Sequence, residues 1–284
     1  MKKQVKSLLS RIVAIDPVWS LISKTVIYPS QLLRSLRMDH EAEKIIASDS
    51  KLQEALMTRT VIAGPFQGMR YGNLKAHCSA LHPKLLGVYE LELTDYFQDA
   101  IALGYPSVVD VGAAEGYYAI GLALKLPGAQ VIAFEQEGDA RRELASLAEL
   151  NGVADRISLR ERCEPAHLTT LDPHGGLLIM DCEGYEETLL SDEVISKLQN
   201  WDFIIETHDG IRPDVTTLLE GRFRNTHVCH RIEIINDLNR ADHVDLDILS
   251  HLNRRQKDRL LAEGRQHATV RWLACTSSSS TRPT

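Results

Sequence analysis

Residues 107–116 read Ser-Val-Val-Asp-Val-Gly-Ala-Ala-Glu-Gly, an apolar run that carries Asp110 and breaks into two glycines around an acidic turn. Val108, Val109 and Val111 suit a short parallel strand covered on both faces. Gly112 and Gly116 free the backbone to turn sharply and to approach a ligand that a Cβ would hold off. Further on, Val131-Ile132-Ala133-Phe134 forms a second apolar run ending in Glu135, where a carboxylate can accept hydrogen bonds from a ribose diol. A chain built on this unit is constrained to β-α-β windings around a nucleoside-type ligand.

The alternation continues downstream. Strands are predicted at 107–112, 130–135, 157–161, 176–181 and 202–207, and helices at 116–125, 138–150, 186–198 and 213–221. That order implies a doubly wound α/β sheet. A strand near 226–235, a long polar helix over 246–263 and a strand at 269–274 follow. Upstream, 40–57 and 88–103 read as helices, the second stopped by Gly104 and Pro106. Between them, Gly64-Pro65-Phe66-Gln67-Gly68 reads as a hairpin or glycine-rich loop, a candidate lid through Phe66 and Met69. The chain thus divides into an N-terminal helical extension (1–58), an α/β domain (59–275) and a disordered Ser/Thr tail (276–284).

The 44% apolar content is ample for a core, and the net charge of −7 argues against nucleic acid as a partner, since phosphate contacts need a basic surface. The five cysteines (Cys78, Cys163, Cys182, Cys229, Cys275) lack metal-site spacing and read as reduced thiols of a cytoplasmic protein. No apolar run approaches the length of a bilayer span. Residues 1–37 carry seven Lys/Arg against Asp16 alone, with Val5, Leu8, Leu9, Ile12 and Trp19 near helical spacing. Such a basic amphipathic helix suits docking on the domain or on a second subunit, with contact to an anionic membrane surface as the alternative. A homo-oligomer stays open.

Two cofactor classes use a strand, a glycine turn and an acid after the second strand. Dinucleotide folds want Gly-x-Gly-x-x-Gly, whereas the spacing here is Gly112-x-x-x-Gly116 with Asp110 and Glu115 beside it. Two carboxylates would repel a pyrophosphate. They suit a ligand with a cationic centre and an amino group, as S-adenosylmethionine has.

With these residues the chain resembles the class I S-adenosylmethionine-dependent methyltransferases, and within them the FkbM family. The resemblance rests on Val-Val-Asp-Val-Gly-Ala-Ala-Glu-Gly-Tyr-Tyr (108–118), Phe-Glu (134–135), Met-Asp-Cys-Glu-Gly-Tyr-Glu (180–186) and Ile-Glu-Thr-His (205–208), with support from 64–69 and 87–93. It implies a Rossmann-like seven-stranded methyltransferase sheet with S-adenosylmethionine as cofactor. It also implies that Asp110, Gly112 and Gly116 line the methionine side, with Glu115 and Tyr117 as further cofactor candidates. Glu135 would hold the ribose, and Cys163 or Glu164 would sit near the adenine.

Ligands in open α/β sheets bind beyond the carboxyl ends of the strands. Asp181 and Glu183 follow one strand, Glu206 ends the next, and His208 comes just after it. These four are the catalytic candidates. Either His208 or a carboxylate serves as general base for a substrate hydroxyl, or Asp181, Glu206 and His208 bind a divalent ion such as magnesium. The plainer readings are that Glu183 or Glu186 caps the following helix and that His208 bonds a loop carbonyl. Cys182 follows Asp181, not Pro, and the Asn/Asp-Pro-Pro-aromatic signature of amino-nitrogen methylation is missing at 181–184. Oxygen is therefore the expected acceptor atom, and the family resemblance points to a hydroxyl of a sugar, glycan or related natural product. The alternatives are a catalytically inactive scaffold that keeps the fold and a nicotinamide-dependent oxidoreductase.

Overall fold

A computed structural model describes residues 28–72, 80–264 and 270–279. At its centre is a seven-stranded sheet in the order β3-β2-β1-β4-β5-β7-β6. The strands are β1 (Ser107–Val111), β2 (Gln130–Phe134), β3 (Ile157–Arg160), β4 (Leu177–Met180), β5 (Asp202–Thr207), β6 (His227–Ile232) and β7 (Arg271–Ser277). The first five run parallel, and β7 lies antiparallel between β5 and β6. This is the seven-stranded, doubly wound α/β arrangement expected of the sequence.

Helices α1 (Tyr28–Ala47), α2 (Ser50–Leu56), α3 (Leu81–Leu86) and α4 (Thr94–Leu103) precede the sheet. Within it come α5 (Tyr117–Lys125), α6 (Gly138–Asn151), α7 (Pro165–Thr169), α8 (Glu186–Leu189), α9 (Asp192–Lys197), α10 (Val215–Phe223), α11 (Asp237–His243) and α12 (Arg254–Leu260). Alternate residues of each strand feed two apolar layers, as a sheet covered on both faces requires. Val108, Val131 and Ile179 pack with Ile120, Leu144 and Leu147 on one face. Val109, Phe134, Leu178 and Phe203 pack with Leu168, Val194 and Phe223 on the other. Burying side chains of this size contributes about 1.5–3 kcal/mol each.

Local chemistry explains where element boundaries depart from expectation. The helix expected at 186–198 is two, because Ser191 accepts from Val194 N–H and restarts the chain as α9. The long helix expected at 246–263 shrinks to α12 after a 3₁₀ turn at Asp247–Leu249, with Asn253 and Gln256 forming a capping box. Glu90 and Gly87 take left-handed φ values of 47° and 75°, which delays the helix expected from residue 88 until Thr94. The glycine-rich segment closes as a hairpin-like bridge between Thr60 and Arg70. Phe66 is buried there against Phe97 and Tyr117, so it is a core residue and not a lid.

Two other expectations fall. Cys229 and Cys275 face each other in the β6–β7 register and form a disulfide, while Cys163 and Cys182 are free thiols; Cys78 lies outside the described residues. Strand β7 continues to Ser277, two residues into the expected tail, because Ser277 N–H donates to Asp202 (2.8 Å). The expectation for residues 1–37 lies mostly outside the described residues. The described part of the extension docks on the C-terminal segment, through ion pairs of Glu41 with Arg259 and of Asp49 with His251. No described helix is long and apolar enough to cross a membrane.

Candidate active site

The winding reverses direction between β1 and β4, and at such a switch point the carboxyl ends of adjacent strands open into a crevice. A cavity of about 490 Å³ lies there. The loop from Gly112 to Ala114 lines it, with Glu135 and Glu137 beyond β2, Arg162 and Cys163 beyond β3, and Asp181 to Glu183 beyond β4. Lys84, Tyr89, Tyr117 and Tyr118 also line it.

The glycine turn has the expected left-handed backbone, with φ of 84° at Gly112 and 98° at Gly116. Its spatial reason differs from the expected one. A Cβ on Gly112 would come within 1.7 Å of the Asp181 carbonyl oxygen, and one on Gly116 would strike Leu144 and Ile120. Protein, not ligand, is what these glycines must accommodate. Gly112 still borders the cavity, whereas Gly116 lies behind it.

Asp110 and Glu115 also lie behind the lining. The Asp110 carboxylate turns under α5, where Ala119 N–H donates to it (3.0 Å). Glu115 is fully buried and accepts from Lys84 Nζ (2.5 Å) and from the Tyr71 hydroxyl (3.3 Å). Both acids are thus consumed by the protein's own donors, and the argument that they would repel a pyrophosphate loses its basis. Burial pushes the Asp110 carboxyl up to about 7, against the opposing effect of the Ala119 N–H. The folded chain then holds a proton that the unfolded chain releases near 3.8, so this group costs stability as pH rises through that window. The advantage of Asp110→Asn over the wild type is expected to grow by a few kcal/mol between pH 4 and pH 8 in denaturant melts. An equal difference at both pH values would contradict this.

Glu135 ends β2 as expected and borders the cavity. Its two oxygens are oriented by the N–H groups of Ala114 (2.8 Å) and Glu137 (2.7 Å), leaving further lone pairs for a diol. Cys163 borders the cavity with its thiol pushed up to about 12, chiefly by burial. Glu164 does not border it, being held as the cap of α7 in a capping box with His167. Tyr117 lines the cavity and packs edge-on against Tyr89 (5.4 Å).

The four catalytic candidates come together. His208 Nε2 lies 3.6 Å from Asp181 Oδ1, 3.4 Å from Glu183 Oε2 and 3.5 Å from Glu206 Oε2. Its Nδ1 donates to Glu186 Oε1 (2.7 Å), which also accepts from Gly184 N–H (2.9 Å). Glu186 therefore does more than cap a helix, and His208 bonds a carboxylate instead of a loop carbonyl. A carboxylate at Nδ1 fixes the proton on that nitrogen and leaves Nε2 facing three acids. A bare lone pair there would be repelled, so the arrangement calls for a proton or a metal ion on Nε2. Burial works to lower the His208 pKa, but the Glu186 hydrogen bond and the charges of Glu206, Glu186 and Glu183 outweigh it and raise it. Asp181 and Glu183 border the cavity, while Glu206 and His208 stand directly behind them. Burial, followed by the charges of Glu186 and Asp181, holds the Cys182 thiol far above its ordinary value, so it stays protonated.

Sequence reading missed Lys84 and Arg162. Lys84 sits 31 residues before its partner Glu115, a separation that no local motif reports. Arg162 lies over the Tyr185 ring at 4.6 Å, in a loop whose composition gave no signal.

No family model matches the chain. Among curated proteins, 56 residues are 45% identical to the release factor glutamine methyltransferase of Chlorobaculum tepidum, covering 20% of this chain and 19% of that protein. A stretch of 78 residues is 33% identical to the ribosomal RNA small subunit methyltransferase G of a Synechococcus species, covering 27% and 32%. The chain spans under a third of the length of either relative. The O-methyltransferase TomG of Streptomyces achromogenes, solved in complex with SAM, is 12% identical with a TM-score of 0.44, over 63% of this chain and 76% of that one. The precorrin-6y C5,15-methyltransferase of Geobacter metallireducens is 13% identical with a TM-score of 0.40, over 65% and 89%.

Proposed function

We propose that this protein is an S-adenosylmethionine-dependent methyltransferase that methylates a hydroxyl oxygen of a sugar, glycan or related natural product. The observation that carries the reading is the meeting of Asp181, Glu183, Glu206 and His208 at the ends of β4 and β5, beside a cavity that Glu135 also lines. The sulfonium of the donor supplies an activated methyl group, so the protein's tasks are alignment and proton removal. In the transfer the acceptor O–H loses its proton, a C–O bond forms, and the C–S bond breaks with its electron pair staying on sulfur. Asp181 or Glu183, at the cavity wall, orients the hydroxyl. His208, held by Glu186, keeps Nε2 behind them as the place for the departing proton.

Asp181, Glu206 and His208 also fit a divalent cation. Their ligand atoms all lie within 4.8 Å of one another. His208 Nε2 lies 3.6 Å from Asp181 Oδ1 and 3.5 Å from Glu206 Oε2, so one imidazole and two carboxylates would hold the ion. Glu186 on Nδ1 is the outer partner a metal-bound imidazole needs. Such an ion would lower the hydroxyl pKa and orient neighbouring oxygens.

Calorimetry with S-adenosylhomocysteine tests the cofactor reading. The wild type should bind, and Glu135→Ala should weaken binding about tenfold or more, as loss of charge-assisted hydrogen bonds to the ribose requires. No binding to the wild type, or an Ala variant equal to it, would sink the assignment.

A further inference from the structure

Tyr89 lines the cavity, yet its place in the wall is set from a part of the chain that takes no role in the chemistry above. Arg240 of α11 has a fully buried side chain, and its guanidinium ties three segments together. It forms an ion pair with Glu263 Oε2 (2.7 Å). It also donates to the Ile235 carbonyl (2.9 Å) and, at greater length, to the Val88 carbonyl (3.5 Å). Glu92 and Asp237 each stand 3.9 Å from it. Glu263 extends the tie, because its Oε1 accepts from the Glu90 N–H (3.0 Å). Asp237 accepts from the N–H groups of Glu263 and Gly264 (both 2.9 Å), which fixes the backbone that carries Glu263.

Tyr89 sits between the two groups so held. The carbonyl before it and the N–H after it belong to its own two peptide links, so the bracket orients both planes and with them the direction of its Cβ. Glu90 is held at a φ of 47°, a left-handed conformation that is costly for a residue with a side chain. Such a conformation persists only where surrounding contacts over-determine it, and Glu263 supplies one of them. The ring of Tyr89 then stands 5.4 Å from that of Tyr117, edge-on, and both border the cavity. We propose that Arg240 and Glu263 are positioning residues of the ligand site, holding Tyr89 in the wall in the orientation that binding of the donor requires. This role rests on the S-adenosylmethionine reading above. Arginine suits the place because its rigid fork meets a carboxylate and two carbonyls together, whereas an ammonium on a flexible stem would not fix them in one plane.

The test combines calorimetry with S-adenosylhomocysteine and amide hydrogen exchange, both on the full chain. Glu263→Ala removes the acceptor of the Glu90 N–H. Exchange should quicken about tenfold or more across 87–93 and keep the wild-type rate in β1 and β4, while affinity falls about 5- to 20-fold. Arg240→Lys keeps the charge but loses the fork, and should weaken binding in the same way. Glu263→Gln still offers an oxygen to both partners and should restore affinity to within about twofold of the wild type. Gly68→Ala, a destabilised variant outside the bracket, should bind as the wild type does. Unchanged exchange at 87–93 in Glu263→Ala overturns the proposal, as does wild-type affinity in that variant or in Arg240→Lys. Equal weakening in Gly68→Ala or in Glu263→Gln also overturns it, since general loss of stability or loss of a charge would then be the cause. Failure of the wild type to bind the ligand removes the cofactor reading and this role with it, whereas a binding wild type with unaffected variants removes the role alone.

Discussion

Replacing His208 with asparagine should lower methyl transfer by about 10²–10⁴-fold, the range for loss of a positioned acid or base. Affinity for S-adenosylhomocysteine should stay within about twofold, because His208 does not border the cavity. Asparagine is the informative choice. Its amide nitrogen can occupy the place of Nδ1 and keep the hydrogen bond to Glu186, while nothing replaces Nε2. The buried Glu186 then keeps a partner, so a loss of rate reports Nε2 and not collapse of the loop.

Two measurements separate the uses of Nε2. As a proton acceptor it must be unprotonated, and its pKa is held above the ordinary 6.5, so the wild-type rate climbs as pH rises through and beyond that value. The asparagine variant should lack that limb. As a metal ligand, Nε2 contributes to an affinity seen by titrating magnesium into the protein alone. Chelation then abolishes wild-type turnover, added magnesium restores it, and the variant binds the ion more weakly. Wild-type turnover in the variant would overturn both roles.

The site was only partly legible in the sequence, and the reason is geometric. Strand ends are local: a short apolar run followed by an acid placed Glu135, Asp181 and Glu206 correctly, since the sheet carries every strand end to one edge. Side-chain direction is not local. Asp110 and Glu115 flank the same glycine turn, yet one turns under α5 and the other toward α3, because their donors, Ala119 N–H and Lys84, come from different parts of the chain. Glu186 shows the converse. Its position just after a strand and a glycine suited a helix cap, and only the return of β5 beside β4 brings His208 to it. The Cys229–Cys275 pair was hidden for the same reason, as 46 residues separate two positions that strand pairing sets opposite one another.

Gly112→Ala should cost about 3–5 kcal/mol, a large share of the stability of an ordinary domain. Two independent penalties act at this residue. A φ of 84° is unfavourable for any residue with a Cβ, at about 1–2 kcal/mol. The added methyl would also stand 1.7 Å from the Asp181 carbonyl oxygen and 2.8 Å from its carbon, both backbone atoms. Neither can rotate aside, because Asp181 N–H is bonded to Val111 O (2.9 Å) and β4 is paired on both edges. Relief requires β1 and β4 to part at their carboxyl ends, where Asp181 meets His208. Gly68→Ala is the control: its φ is 95°, but nothing lies within 4 Å of the added carbon, so only the backbone penalty of about 1–2 kcal/mol remains. Urea melts of the two variants against the wild type measure the difference. If Gly112→Ala proves no worse than Gly68→Ala, close approach to Asp181 is not what demands glycine there. If it is worse by the margin expected, the first glycine of the turn serves the strand that carries Asp181, and any ligand benefits only through that strand's position.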